Sequence, residues 1–190
     1  MIYTVGHSTR SLDELVQVLQ EARVRELVDV RRAPGSRRHP QFAARALAQS
    51  LQAAGVSYSH EQDLGGFRRA RAHSPNRGWS HEAFAGYADH MSTAEFATAL
   101  DRVQGVARER PTCVMCAEAQ WWRCHRRLIA DALLVRGWEV MHLGLGREPV
   151  AHELTRFAVR EGAHGVIYPP AQGELGAELA PLQDASQGDV

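Results

Sequence analysis

Short apolar runs alternate with longer stretches whose apolar residues recur every three or four positions, the pattern of strands separated by amphipathic helices. Residues 2–5 form the first run, closed by Gly6. Ser11-Leu-Asp-Glu14 then supplies a capping box ahead of Leu12, Leu15, Val16 and Leu19 at helical spacing. Residues 26–30 (ELVDV) form a second run, stopped by Arg31-Arg32-Ala33-Pro34-Gly35. Phe42, Leu47 and Leu51 predict a helix closed by Gly55, and residues 56–59 a third strand. Helical periodicity returns over 81–91 and 93–107. A fourth strand is expected over 112–116, a helix over 124–136 ended by Gly137, and a fifth strand over 138–143. Residues 152–161 predict a final helix and 166–168 a short edge strand.

This alternation implies an α/β fold: a single domain with a mainly parallel sheet of about five strands flanked by helices. The domain is expected over 1–168. Pro169-Pro170 open a stretch, 169–190, rich in Gln, Gly, Glu and Ala and without a period, which reads as a mobile acidic tail. Between Glu61 and His81 the pattern lapses into Gly65-Gly66, Arg68, Arg69 and Arg71, and Ser74-Pro75-Asn76-Arg77-Gly78. That composition turns and does not pack.

Composition changes the picture in three ways. A chain of 190 residues, 44% apolar, encloses one substantial core but not two. With no run of about 18 apolar residues and an N-terminus that enters a strand at once, a cytoplasmic protein without membrane span or export signal is expected. All 22 basic residues are arginine, which excludes a lysine Schiff base and a P-loop lysine. The net charge of zero hides an asymmetry: 31–81 carry nine arginines against Glu61 and Asp63, while 171–190 carry four acids and no base. A basic middle facing an anion is one reading and solvated surface arginines the other. Three cysteines in such a chain read as reduced thiols rather than a disulfide framework.

In parallel sheets ligands bind beyond the carboxyl ends of the strands. Here those ends are Gly6-His7-Ser8, Asp29-Val30-Arg31, His60-Glu61, Cys116-Ala117-Glu118 and His142-Leu143-Gly144. Cys116 stands where a strand meets a loop, and Cys124-His125-Arg126 where the next helix starts. A helix N-terminus and nearby cations lower a thiol's pKa, so a reactive thiolate fits there. Packing is the competing reading, above all for Cys124, which aligns with Leu128 and Ala132. Cys113 and Cys116 form a C-x-x-C, but three residues apart on a strand they point to opposite faces, about 10 Å apart, and cannot chelate one ion. A metal site of Cys116, Cys124 and His125, with His7 or His142 as fourth ligand, stays open. Cys116 and Arg123 are spaced one residue too far for a phosphate-cradling Cys-x5-Arg loop, and no glycine-rich nucleotide motif follows the first strand.

His7 and Ser8 suit anion binding or substrate orientation through the amides ahead of the capped helix. Asp29 and Arg31 alternate on one side of a strand. Either they pair with each other or Arg31 grips a carboxylate or phosphate in its fork. Trp121-Trp122 cover the site, stack on a flat ligand, or pack in the core.

TVGHSTR (4–10), LVDVRRAPGSRRHPQF (27–42), LGG (64–66), CAEAQWWRCHRR (116–127) and the His142 to His152 stretch together resemble the domain of unknown function 488 family of small bacterial and archaeal proteins. The resemblance spans roughly 3–155. It implies an α/β domain and points to His7, Ser8, Asp29, Arg31, Cys116, Glu118, Cys124, His125 and Arg126, but supplies no reaction. One departure is His152-Glu-Leu-Thr, where members often read His-Pro-Leu-Thr.

Three functions compete. The first is a small thiol-dependent enzyme for an anionic or nucleotide-like small molecule, with Arg31 and Arg126 binding the anion, Cys116 as nucleophile or redox thiol, and Glu118 or His125 moving protons. The second is a nucleic-acid-binding or repair-associated module using the arginine-rich 31–81 region, whose binding should weaken with salt and with loss of Arg68, Arg69 and Arg71. The third is a metal-binding protein with the Cys/His site.

Overall fold

The computed structural model describes residues 1–35 and 38–171. The alternating pattern becomes β1 (Ile2–Gly6), α1 (Leu12–Glu21), β2 (Glu26–Asp29), α2 (Ala44–Ala53), β3 (Ser57–His60), α3 (Glu82–His90), α4 (Ala94–Glu109), β4 (Thr112–Cys116), α5 (Arg126–Val135) and β5 (Val140–His142). β6 (Val150–Ala151), β7 (Val159–Glu161) and β8 (Gly165–Ile167) follow. The capping box at α1 forms as expected: the Glu14 amide donates to Ser11 Oγ at 3.2 Å, and the Ser11 amide to the Glu14 carboxylate at 2.6 Å.

Six strands form one sheet in the order β3-β2-β4-β1-β5-β6. β1 to β5 run parallel and β6 pairs antiparallel with β5. The pleat of β4 divides the core. Cys113 and Met115 pack with Leu15 and Leu19 of α1 and Leu47 and Leu51 of α2, whereas Val114 and Cys116 pack with α3, α4 and α5. One domain therefore has helices on both faces of a mainly parallel sheet. β4 lies between β1 and β2, and the chain leaves those two toward one face and β4 toward the other. The loops after the three strands thus leave toward opposite faces at their carboxyl ends, the position where such sheets hold ligands.

Three expectations change. Residues 152–161 form no helix, because His152 and Thr155 are drawn to the buried Asp131 and residues 159–167 fold as a hairpin, β7 with β8, whose turn holds Gly162 at φ +62°. The helix expected from 124 begins at Arg126, because a 3-10 turn, Trp121–Arg123, closes onto Cys124 and leaves Cys124 and His125 ahead of the first helical turn. The 61–81 stretch packs instead of only turning. The carboxylate of Asp89 on α3 accepts from the Arg71 amide (2.7 Å), Ser74 Oγ (2.6 Å) and Asn76 Nδ2 (2.9 Å), and so pins the loop to the helix. The expected tail, from 172 onward, lies outside the described residues. Among the described residues no helix is long and apolar enough to cross a membrane.

Candidate functional site

β1, β2 and β4 bring the sequence-predicted residues to one edge of the sheet and sort them by face. On the α1/α2 face lie Asp29, Arg31 and His7. Asp29 is fully buried. Its carboxylate accepts from the Arg31 amide (3.0 Å), Arg31 Nε (2.9 Å), Arg31 Nη2 (2.5 Å) and the Tyr58 hydroxyl (2.8 Å). Burial alone would lower the pKa of Arg31, but the Asp29 carboxylate more than reverses it. Arg31 Nη2 also donates to the Phe42 carbonyl, and Nη1 meets His7 Nε2 at 3.3 Å. Most of the Arg31 fork is thus occupied from within. His7 stacks on Phe42, with ring centres 4.2 Å apart, and its Nδ1–H donates to the Ser8 carbonyl. Burial, then the adjacent Arg31, lower its pKa to about 4, so His7 is neutral and its Nε2 accepts from Arg31. Ser8 stands at φ +50°, left-handed for a residue with a β-carbon.

On the α3–α5 face lie Cys116, Cys124, His125 and Arg126. The two thiols, 8% and 4% exposed, lie within 4.8 Å of each other, and both face Nδ1 of His125, at 3.9 and 3.7 Å. His125 Nε2 donates to the Val30 carbonyl at 3.3 Å, which commits that nitrogen and leaves Nδ1 to exchange a proton with sulfur. Gly66 is packed against the ring: a β-carbon there would stand 3.0 Å from Nδ1. Cys124 is held well below the ordinary thiol range, first by the Cys116 thiol beside it, then by His125 and Arg126, against the effect of burial. Cys116 is held well above that range, by Cys124 and by burial. Cys113 lies on the other face, and burial pushes its thiol up.

Arg126 is 1% exposed. Its Nη2 donates to the carbonyls of Glu118 and Ala119, its Nη1 to Thr4 Oγ1 at 3.4 Å, and its Nε has no partner. Among the described residues no carboxylate pairs with it. A buried guanidinium served only by neutral oxygens favours a negative charge nearby, and its field acts on both Cys116 and Cys124. Gly6 makes room for this contact: a β-carbon there would fall 1.9 Å from the Glu118 carbonyl oxygen and 2.8 Å from Arg126 Nη2. Glu118 itself is exposed and serves the site through that carbonyl, while its carboxylate accepts from the Gln120 amide at 3.2 Å. The two halves meet at the sheet edge, where Arg31 lies close enough to Cys116 for their charges to interact. Arg68 donates to the carbonyls of Gly65 and Asp63, and Arg71 to that of Asp89, so these two arginines bind the loop that carries them.

The two sulfurs and Nδ1 of His125 lie within 4.8 Å of one another, so the same three groups have the donor types and spread to hold a zinc-like ion with a fourth position open. Without an ion, they are a dithiol with an adjacent base.

The chain matches the family model described as Domain of unknown function DUF488 over residues 11–133. It belongs to that family. No curated protein and no solved structure matches the chain. The DUF488 match takes in Asp29, Arg31, Cys116, Glu118, Cys124, His125 and Arg126. His7 and Ser8 precede it, and His142 and His152 follow it.

Sequence reasoning missed a buried row in this DUF488 domain: Thr4, His142, His152, Asp131 and Tyr168. One signal was available. Asp131 is an acid in the middle of the apolar run of α5, between Leu128, Ile129, Ala132 and Leu133.

Proposed function

We propose that this protein is a small thiol-dependent enzyme acting on an anionic or nucleotide-like substrate, with the Cys116/Cys124 pair as its reactive centre. The observation that carries this reading is the pair itself: two thiols within 4.8 Å of each other at a strand-to-helix junction, both facing His125 Nδ1. The supporting charge is Arg126, buried without a carboxylate.

In this reading Cys124 is the thiolate. It gives its proton to His125 Nδ1, whose ring is already oriented by Val30, and keeps the Cys116 thiol beside it. The thiolate attacks an electrophilic carbon or phosphorus, a sulfur bond forms, and the bond to the leaving oxygen breaks. The oxygen departs with the electron pair and takes the proton held on His125. Arg31 and His7 lie at the same end of the strands on the other face and orient the anionic part of the substrate, although Asp29 already neutralises much of Arg31.

The test is covalent trapping. Reduced protein is incubated with acyl phosphates and nucleoside polyphosphates, and its cysteine peptides are weighed. An adduct on Cys124 or Cys116 that disappears in Cys124→Ser is expected. No adduct and no turnover across the panel would overturn the reading.

A further inference from the structure

The thiol mechanism leaves unused a hydrogen-bonded row of polar groups in the core. Thr4 (0% exposed), His142 (1%), His152 (6%) and Asp131 (0%) form one row. Thr4 Oγ1 lies 2.7 Å from His142 Nδ1, His142 Nε2 3.0 Å from His152 Nδ1, and His152 Nε2 2.9 Å from Asp131 Oδ1. The Asp131 carboxylate also accepts from the Thr155 amide (2.9 Å) and the Tyr168 hydroxyl (2.8 Å).

With both rings neutral, the two ends of the row set the direction of its hydrogen bonds. Oδ1 of Asp131 already faces an N–H, so His152 must present Nε2–H to it. A neutral His152 then has a bare Nδ1, which accepts from His142 Nε2–H. The bare Nδ1 of His142 accepts from the Thr4 hydroxyl, and Thr4 Oγ1 keeps a lone pair for Arg126 Nη1. Reversing the row would leave the Thr4 proton without an acceptor, a costly state for a fully buried hydroxyl. Burial, then His152 and Arg126, lower the pKa of His142 to about 3, which keeps it neutral.

The row touches the thiol site twice. At one end Thr4 holds Arg126. Along its side, Trp121 stacks flat on His142, with ring centres 4.1 Å apart and planes 8° from parallel. Trp121 belongs to the loop that joins Cys116 to Cys124, and Arg126 binds that loop through the Glu118 and Ala119 carbonyls. Both anchors of the loop thus rest on the state of His142.

We propose that Thr4–His142–His152–Asp131 is a positioning relay: it holds His142 in one neutral tautomer, which sets Arg126 and the 117–123 loop around the cysteine pair. This rests on the thiol reading for its purpose but not for its geometry. None of the four touches a sulfur, so they are positioning residues rather than catalytic ones.

Two measurements test it. Long-range proton–nitrogen spectra of the wild-type protein labelled at histidine should show His142 and His152 both as Nε2–H tautomers, with slowly exchanging ring protons. His142 found protonated at Nδ1 would overturn the relay, whatever the thiols do. The second compares Thr4→Val, which keeps the shape but removes the hydroxyl, with Thr4→Ser, which keeps the hydroxyl. At neutral pH, modification of the cysteine pair by methyl methanethiosulfonate should slow about 10-fold in Thr4→Val, with the Arg126 Nη signals released to solvent exchange. Both should return in Thr4→Ser. A Thr4→Val protein with unchanged rate and unchanged Arg126 signals would overturn the relay. Should the wild-type thiols react no faster than an ordinary cysteine, the enzyme reading falls, while the tautomers still decide the relay.

Discussion

His125 is tied to Val30: its Nε2 donates to the Val30 carbonyl at 3.3 Å, and this bond turns Nδ1 toward the two cysteine sulfurs. The chain leaving β2 thereby orients the base of the site on the α3–α5 face, where Val30 packs with both cysteines. His125→Ala removes both the proton acceptor and the charge that helps hold Cys124 low. Thiol modification at neutral pH should slow by about 10-fold or more. The folded state should survive, because His125 is only partly buried and lies ahead of α5. Alkylation rates checked against circular dichroism decide this.

Gly6→Ala places a β-carbon against main-chain atoms of residue 118 and against the buried Arg126 Nη2. The loop must move, so the cost is that of overpacking, about 1–3 kcal/mol. The substitution should lower the melting temperature and slow thiol modification together. Loss of one without the other would separate the loop from the site.

Asp29→Ala leaves Arg31 buried without its carboxylate and the Tyr58 hydroxyl without its acceptor. Breaking a buried pair from one side costs about 3–5 kcal/mol. Urea unfolding should show a loss of that size, far above the effect of breaking the Arg102–Glu61 pair, whose arginine is half exposed.

Acid should destabilise the fold through histidines. His7 and His142 titrate at about 4 and about 3 in the folded protein and near 6.5 when unfolded. The unfolded chain therefore binds more protons below about 6.5, and stability contributed by neutral burial is full above that pH. It falls as pH drops from about 6.5 toward about 4 for His7 and about 3 for His142, by roughly 1.4 kcal/mol per pH unit for each ring. Denaturation midpoints between neutral pH and pH about 5 should fall in the wild type and fall less steeply in His7→Gln.

The parallel sheet and the thiol cluster were legible along the chain because both are local in sequence. β4, its loop and the start of α5 are contiguous, so Cys116, Cys124, His125 and Arg126 could be placed together from residue types and spacing alone. The Asp29–Arg31 pair was legible as alternation on one strand edge. The His142 row was not, because it requires β1 beside β5 and α5 packed over both, relations that no local period encodes. The Asp89 clamp was hidden for a similar reason: a stretch that reads as unpacked is ordered by an acid on the helix that follows it. Residues 152–161 read as a helix along the chain, but Asp131, distant in sequence, holds His152 and Thr155, and 159–161 pair in the hairpin instead.

The central claim is that Cys116, Cys124 and His125 share protons so that Cys124 is a thiolate where ordinary thiols are not. The most direct measurement is the modification rate of each cysteine by methyl methanethiosulfonate at neutral pH, resolved by peptide mass in the reduced wild type and in Cys124→Ser. The account predicts modification within the Cys116/Cys124 pair well ahead of Cys113 and faster than an ordinary thiol of pKa about 8.5. It also predicts that Cys116 turns slow once Cys124 is serine. Equal, slow modification of all three cysteines, or a fast Cys116 in Cys124→Ser, would contradict it.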